Sequence, residues 1–390
     1  MKKTVAFFIV LMLVLTFSIG VFAENDEKNE ADIVASLEIT DAKSAVLMEA
    51  ESGETIFSKG ADLELNPASV TKVMTLLLSV EALDEGKIQL TDKATVSAHA
   101  ASMGGSQVFL KEGEVMTVEE LIKCVVIASA NDAALALAEL VAGNEAAFVS
   151  RMNERAKELG MKNTNFENVT GLDDTTKNHY TSAMDIAIMS RELISHEIIL
   201  KYSSVWQDTI RNGEFTLTNT NRLVRFYDGC NGLKTGSTSK AGYCVSATAK
   251  RDDMQLIAVV MGAETRDKRN EIARSLLDFG FANYTLMRNP ESEIEMVPVR
   301  CGVKDFSMIY EGEFSKLVSK GDASKIEKIY VIPDKISAPV IAGEKIGSVE
   351  YILNGEKIGE AKIYSKEDIE KLSFWRLFAR IIGTVFIGTE

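Results

Sequence analysis

Hydrophobic and polar positions repeat with different periods in two parts of this chain. Between residues 68 and 289, apolar side chains recur at helical spacing, for example over 133–141, and no proline interrupts them. From Pro290 onward, the apolar runs become short and alternate with polar residues, which is typical of strands. The pattern therefore predicts a larger α/β domain at about 38–285 and a small β domain at about 290–365.

The clearest strand pair of the predicted β domain surrounds an Asn-Gly dipeptide. Residues 349–353 and 357–363 each alternate apolar and polar side chains, and Asn354 and Gly355 stand between them. Asn-Gly is the preferred sequence of the tight turn that joins two antiparallel strands. This segment therefore predicts a β-hairpin.

The first residues, 1–23, have the features of a signal peptide. Lys2 and Lys3 give a positive start, an apolar stretch follows over 5–19, and Ala23 ends a small-residue cleavage site. An uncleaved transmembrane anchor is the alternative, but the apolar run is shorter than the ~20 residues that a spanning helix needs. We therefore expect an exported protein whose mature chain works outside the cytoplasmic membrane.

The last segment, 366–390, differs again from the β domain. On a helix its apolar side chains share one face, while Arg376 and Arg380 lie on another. The apolar face comprises Leu372, Trp375, Phe378 and Ile382. Such a helix suits the interface of a membrane, so we expect peripheral attachment to the outer face of the cytoplasmic membrane. The alternative is a helix that packs on its own protein.

Composition excludes several classes of function. The 390 residues contain 43 basic and 57 acidic side chains, a net charge of −14, and an acidic linker at 24–37 contributes to it. A chain this acidic is a poor candidate for binding the phosphates of nucleic acid. Its three histidines, His99, His179 and His196, make a multi-histidine metal site and a Ser-His-Asp triad improbable.

The four cysteines give no compact disulfide or metal-binding framework. Their spacing fits neither pattern, although an exported protein permits disulfides. Cys124 lies in an apolar helical run, which predicts a small core residue. The other three are Cys230, Cys244 and Cys301. Whether Cys230 and Cys244 pair stays open.

A serine and a lysine stand three residues apart at the start of an apolar helical run. Ser69 and Lys72 would share one helical face, which places an amine beside a hydroxyl. Serine needs a neighbouring base to become a nucleophile, and a lysine of lowered pKa can supply it. The motif is weak alone, because Ser237 and Lys240 have the same spacing.

Two further motifs follow along the chain. Ser129 and Asn131 precede a predicted helix, where the ordinary interpretation is a helix cap at Asn131 or Asp132. Lys234-Thr235-Gly236 precedes a strand-like run, where the ordinary interpretation is a surface turn. Each motif alone is weak evidence for an active site. The order of the three motifs along one chain is the more specific signal.

Ser-x-x-Lys, Ser-x-Asn and Lys-Thr-Gly, in this order, are the motifs of penicillin-binding proteins and class A β-lactamases. The chain resembles the low-molecular-mass penicillin-binding proteins, which are serine-type D-alanyl-D-alanine carboxypeptidases. The similarity covers nearly the whole chain. It includes residues 103–106, 129–133, 158–161, 171–173, 179–183 and 233–236.

This resemblance implies a fold and an activity. The fold is α/β: a β-lactamase/DD-peptidase-like domain, with an antiparallel sheet flanked by helices, followed by a small β-rich domain and a C-terminal amphipathic helix. The activity is removal of the terminal D-alanine from peptidoglycan stem pentapeptides, with no cofactor and no metal. β-Lactam antibiotics are the implied covalent inhibitors.

The resemblance also implies roles for the motif residues. Ser69 is the nucleophile, Lys72 its general base, and Ser129 assists proton transfer. The oxyanion hole comprises the backbone N–H groups of Ser69 and Ser237. The implied substrate-binding residues are Asn131, Lys234, Thr235, Gly236, Ser237 and Arg269. Some relatives carry an arginine where this chain has Thr220, so recognition of the substrate carboxylate rests on Thr235 and Arg269.

Two other functions compete with the carboxypeptidase. A β-lactamase would need a glutamate to activate the deacylating water, and Glu167 is the candidate. No asparagine follows Glu167 at the distance that the lactamase pattern requires. An inactive cell-wall-binding protein that keeps the fold is the other alternative, and the complete motif set argues against it.

Overall fold

The computed structural model describes residues 39–174, 176–376, 378, 379 and 382; the predicted signal peptide and acidic linker lie outside them. The helices are α1 (Lys72–Asp84), α2 (Ala98–Ala101), α3 (Val118–Val126), α4 (Asn131–Ala142), α5 (Glu145–Glu158), α6 (Ala183–Ser195), α7 (Glu197–Ser203), α8 (Leu223–Phe226) and α9 (Arg266–Asn283). The strands are β1 (Ser44–Glu49), β2 (Thr55–Lys59), β3 (Lys93–Thr95), β4 (Val115–Thr117), β5 (Gln207–Ile210), β6 (Phe215–Thr218), β7 (Cys230–Thr238), β8 (Gly242–Arg251), β9 (Met254–Ala263), β10 (Tyr284–Asn289), β11 (Ser292–Arg300), β12 (Phe306–Glu311), β13 (Phe314–Ser319), β14 (Glu327–Val331), β15 (Ile336–Ser337), β16 (Lys345–Leu353) and β17 (Glu356–Ser365).

The described chain divides into two compact units between Gly280 and Phe281. This division precedes the predicted boundary at 285–290, because β10 pairs with β13 and so belongs to the second unit. The predicted domain ranges otherwise stay predictions.

The first unit contains an antiparallel sheet in the order β2-β1-β9-β8-β7. The central strands are buried on both faces, so they read as continuous apolar runs rather than as alternating ones. One face, which includes Val46 and Val259, joins the main core with helices α1 and α6. On the other face Leu47 and Leu256 lie beside Gly280 of α9. The expected antiparallel sheet flanked by helices is confirmed.

The second unit is β-rich. Its larger sheet has the order β14-β16-β17-β12-β11-β15, in which only the β11–β15 pair is parallel among the described strands. The hairpin predicted from the Asn-Gly dipeptide is confirmed, since β16 and β17 pair around Asn354 and Gly355. Both turn residues have positive φ angles, 52° and 86°, as a type I′ turn requires. The alternating residues Val349, Tyr351 and Ile363 form the core of this sheet.

The four cysteines are all free. Cys124 is buried, as predicted, and none of the four cysteines forms a disulfide.

No single helix in the described part of the chain is long and apolar enough to cross a membrane, although the bent pair α4 and α5 together reach that length and composition. In the predicted terminal helix Phe374, Trp375, Phe378 and Ile382 are exposed. Arg380 and residues 383–390 lie outside the described residues.

Candidate active site

Ser69 lies in a single 3₁₀ turn, Ala68–Thr71, that runs directly into helix α1. Neither Asn66 nor Ser69 caps a helix here, because Pro67 and Thr71 occupy the capping positions. The turn is held against a loop at Gly171, where an added Cβ atom would stand 1.8 Å from the Ala68 carbonyl oxygen. Glycine is therefore required at position 171, both for this close approach and for its φ of 81°.

Lys72 points at the Ser69 hydroxyl. Its Nζ donates to Ser69 Oγ at 2.9 Å and to the Thr170 carbonyl oxygen at 2.8 Å, and the side chain is fully buried. Burial and the nearby charge of Lys234 hold the pKa of Lys72 well below its usual value, although the Asp132 carboxylate opposes this shift. A neutral amine beside a serine hydroxyl can accept the hydroxyl proton.

Ser129 and Asn131 precede and begin helix α4. Ser129 has a φ of 62°, and Ala130 occupies the cap position without a side-chain hydrogen bond. The interpretation of Asn131 or Asp132 as a cap is therefore wrong. The Asn131 amide donates to the Gly104 carbonyl oxygen at 2.6 Å, while its Oδ1 is buried without a hydrogen-bond partner in the described chain.

Asp132 has a supporting position beside this motif. Its buried carboxylate accepts hydrogen bonds from the backbone N–H groups of Val108 and Leu110, at 3.2 and 3.0 Å. These bonds fix the loop before β4 against the start of α4. The Asn131 N–H donates to the Ser106 carbonyl oxygen at 2.7 Å, which ties the same loop to the motif.

Lys234 connects the second motif with the third. From strand β7 its Nζ donates to Ser129 Oγ at 2.8 Å and to the Thr235 carbonyl oxygen at 2.7 Å. Burial and then the positive charge of Arg269 lower the pKa of Lys234 to about 7. Two buried lysines thus hold two serine hydroxyls in the same cleft.

Strand β7 passes very close to the Ser69 turn. A Cβ atom at Gly236 would lie 2.7 Å from the Ser69 backbone nitrogen and 2.8 Å from the Pro67 carbonyl oxygen. Only glycine permits this approach, which places the backbone of Gly236 and Ser237 beside the Ser69 N–H. Thr235 follows Lys234, and its Oγ1 donates to Thr220 Oγ1 at 2.9 Å.

Arg269 lines the cleft, but its guanidinium is already held by the protein. The side chain is 97 % buried, its Nε and Nη2 donate to Asn270 Oδ1, and its Nη1 donates to the Cys244 carbonyl oxygen. Burial and the neighbouring Arg266 lower the pKa of Arg269 to about 10. Arg269 therefore adds positive charge to the lining of the cleft.

Several of these side chains line a cavity of about 660 Å³, whereas Lys72, Asn131 and Lys234 are buried and are not among its lining residues. It is lined by Ser69, Ser106, Ser129, Trp206, Thr218, Asn219, Thr220, Arg222, Phe226, Thr235, Gly236, Ser237, Arg266 and Arg269. Sequence reasoning did not single out Trp206, Arg222, Phe226 or Arg266. These four stand in no motif, so only the fold reveals them.

His179 and Glu167 lie near the 3₁₀ turn that contains Ser69. The His179 Nδ1 accepts the Glu167 N–H at 3.0 Å, so the neutral ring carries its proton on Nε2, which lies 2.8 Å from Thr71 Oγ1. Burial lowers the pKa of His179 to about 4, so it stays neutral. The Glu167 carboxylate accepts the N–H groups of Lys177 and Asn178. This geometry gives Glu167 a role in its own loop and does not favour the β-lactamase interpretation.

The lowered pKa of Lys234 predicts how stability depends on pH. Between about pH 7 and pH 10.5 the unfolded chain keeps this proton and the folded chain releases it, so raising the pH favours folding by about 1.4 kcal/mol per unit. Urea unfolding measures the effect: from about pH 7 to pH 10.5 the free energy of unfolding of the wild type should rise relative to that of Lys234→Met. Lys240→Met, which removes an exposed lysine, is the control. A difference that does not change with pH would contradict the prediction.

Comparison with known proteins agrees with this arrangement. The family profile described as D-alanyl-D-alanine carboxypeptidase matches residues 30–265, and the profile of the penicillin-binding protein 5 C-terminal domain matches residues 285–371. The chain is 42 % identical over 390 residues to the D-alanyl-D-alanine carboxypeptidase DacF of Bacillus subtilis, covering 98 % of each. It is 34 % identical over 346 residues to DacC of Escherichia coli, a D-alanyl-D-alanine carboxypeptidase, covering 86 % of each.

Solved structures give the same result. Penicillin-binding protein 5 from Haemophilus influenzae superposes with a TM-score of 0.74 at 34 % identity, covering 85 % of this chain and 98 % of that one. Penicillin-binding protein D2 from Listeria monocytogenes, solved in its ampicillin-bound form, superposes with a TM-score of 0.57 at 32 % identity. The match covers 62 % of this chain and 97 % of that one. The expected fold class and family are confirmed, and the chain belongs to the D-alanyl-D-alanine carboxypeptidase family of penicillin-binding proteins.

Proposed function

We propose that this protein is a serine D-alanyl-D-alanine carboxypeptidase that removes the terminal D-alanine from peptidoglycan stem pentapeptides. The observation that carries the proposal is the 2.9 Å hydrogen bond from the buried Lys72 amine to Ser69 Oγ. A nucleophile and its base in direct contact are the requirement for acyl transfer through a covalent intermediate. The family to which the chain belongs supplies the substrate class.

Acylation begins when Lys72 takes the proton of Ser69 and Oγ attacks the carbonyl carbon of the penultimate D-alanine. The tetrahedral intermediate then collapses: the bond to the terminal D-alanine nitrogen breaks, and a proton returns to this nitrogen. Ser129, held by Lys234 at 2.8 Å, assists the transfer of the proton. The product is an ester on Ser69, and water later hydrolyses it to free the shortened peptide.

The developing negative charge needs donors that are already in place. The backbone N–H groups of Ser69 and Ser237 supply them, and the close approach at Gly236 supports this assignment. Removing one such donor typically costs about 10²–10³ in rate. Because a backbone group donates, the side chain at position 237 can vary.

The remaining motif residues bind the substrate. Asn131 has an unpartnered buried Oδ1 that can accept a hydrogen bond from the peptide backbone. Thr235 and Lys234 lie on β7, where they suit the terminal carboxylate, and the positive charge of Arg269 lines the same cavity as Thr235. β-Lactams resemble the acyl donor, so they should form a stable ester on the same serine.

Two measurements on the purified protein test the proposed function. The first is release of D-alanine from a peptide ending in D-alanyl-D-alanine, and the second is mass spectrometry after penicillin treatment. We expect D-alanine release together with one penicilloyl adduct on the peptide that contains Ser69. Release without an adduct, or an adduct elsewhere, would contradict the proposed chemistry.

We also propose that the mature protein is exported and attached to the outer face of the cytoplasmic membrane by its C-terminal segment. The apolar stretch and positive start of residues 1–23 support export. Exposure supports attachment, because Phe374 and Trp375 are 71 % and 75 % exposed and so do not pack on their own protein. Arg376 adds attraction to anionic lipids, about 1 kcal/mol for one such residue near the surface.

Truncation tests the membrane attachment. The end point should be Ser373, because Ile369 is buried with Val299 and Val340, and Leu372 bonds to the backbone of Cys301. We expect this shortened chain to lose co-sedimentation with anionic liposomes while its D-alanine release stays unchanged. Equal sedimentation of the full and shortened chains would overturn the attachment.

A further inference from the structure

Two arginines at the mouth of the catalytic cavity have no role in the mechanism above. Arg222 lies immediately before helix α8, Arg266 begins helix α9, and both side chains are exposed. Both line the cavity that also contains Ser69 and Thr235. Neither guanidinium has an ion pair or side-chain hydrogen bond with any residue that the structure describes.

Both guanidiniums are unpaired within the described residues, although the chain is strongly acidic. The chain has 57 acidic side chains and a net charge of −14, and some of its arginines pair with carboxylates: Arg155 with Glu81, and Arg211 with Glu114. At the cavity the situation is reversed, since no aspartate or glutamate is among its described lining residues. Asp267 and Glu271 line an adjoining pocket together with Arg222, but neither carboxylate forms an ion pair with Arg222 or Arg266.

The lysines inside the cleft cannot replace this charge. Burial lowers the pKa of Lys234 to about 7 and holds the pKa of Lys72 well below its usual value, so neither amine is as permanent a charge as an arginine. An exposed arginine stays charged at any physiological pH. Arg222 and Arg266 are thus the permanent charges that an approaching ligand meets first.

We propose that Arg222 and Arg266 form an electrostatic capture pair that draws the anionic end of an acyl donor into the cleft. The proposal rests on the proposed function, in which stem peptides and penicillins carry a carboxylate. The overall negative charge of the protein repels such ligands, and a local positive patch at a cleft overcomes this repulsion. The pair acts on approach, so it changes the rate of capture and not the chemical step.

Neutral substitutions test the capture pair. Arg222→Gln, Arg266→Gln and the double variant are compared in the second-order rate of Ser69 acylation by benzylpenicillin at low and high salt. For the double variant we expect a loss of about tenfold at low salt. This loss should shrink at about 0.5 M salt, because screening then shortens the reach of charge to a few ångströms.

Two controls separate charge from structure. Arg222→Lys and Arg266→Lys keep the charge and should keep most of the rate. Arg225→Gln removes an arginine from the same short helix that stacks on Trp206 and Phe226, at 5.3 and 5.5 Å, and does not line the cavity. This variant should acylate as the wild type does at both salt concentrations.

Peptide kinetics distinguish the capture pair from the proposed function. With a peptide ending in D-alanyl-D-alanine the double variant should lose kcat/KM while kcat stays unchanged. A rate within twofold of wild type at low salt, a loss independent of salt, or an equal loss in kcat would overturn the capture pair. Penicillin acylation that depends on both arginines, without D-alanine release by the wild type, would support the pair and contradict the proposed function.

Discussion

Ser69→Ala should abolish both D-alanine release and covalent penicillin binding while the fold stays intact. The hydroxyl is the only side-chain group of Ser69 that the chemistry uses, and it accepts a hydrogen bond from Lys72. After substitution the Lys72 amine keeps its bond to the Thr170 carbonyl oxygen, so the site loses one hydrogen bond and gains no unpaired charge. Mass spectrometry of the penicillin-treated variant and its thermal unfolding together measure the effect.

Ser237→Ala is the matched control for this substitution. Ser237 and Lys240 repeat the Ser-x-x-Lys spacing, but the Lys240 amine donates to the Asp173 carbonyl oxygen instead of to a serine. In the proposed mechanism Ser237 contributes its backbone N–H, so the variant should still be labelled by penicillin. Labelling of Ser69→Ala would show that the nucleophile lies elsewhere.

Lys72→Ala should reduce acylation by about 10²–10⁴, the usual contribution of a general base. The proton of Ser69 then has no neighbouring amine, because the second lysine of the cleft bonds to Ser129. The reduction should appear in kcat as well as in kcat/KM, since the lost interaction acts in the transition state. The rate of penicilloyl formation from about pH 6 to pH 9 measures it.

A second variant distinguishes loss of the base from loss of the fold. Lys72→Met removes the amine but fills most of its buried space, and it places no charge in a site where burial already disfavours one. It should fold at least as well as Lys72→Ala and be equally slow. Near-normal acylation by either variant across this pH range would contradict the role of Lys72 as the base.

Local sequence alone predicted the parts of the site that depend on short spacings. Ser69 and Lys72 are three residues apart on a helical segment, so backbone geometry brings their side chains together regardless of the rest of the fold. The hairpin around Asn354 and Gly355 is a similar case, because these residues tolerate the positive φ angles of its turn. The order of the three motifs along the chain then identified the family.

Tertiary structure decided which distant residues meet. Lys234 holds the hydroxyl of Ser129 across 105 residues of sequence, and Gly171 lies against Ala68 across another long separation. No periodicity connects such positions. The first contact depends on how strand β7 packs beside the residues before α4, and the second on how the loop before α6 packs on the 3₁₀ turn.

For charged residues too, the sequence and the fold determine different properties. The sequence alone determined the net charge of −14 and the presence of an acid beside Asn131. Only the fold decided that Asp132 binds the backbone of Val108 and Leu110 instead of capping a helix, and that Arg222 and Arg266 remain unpaired at the cavity. The function of a charge depends on its neighbours in space, and packing across the whole domain sets those neighbours.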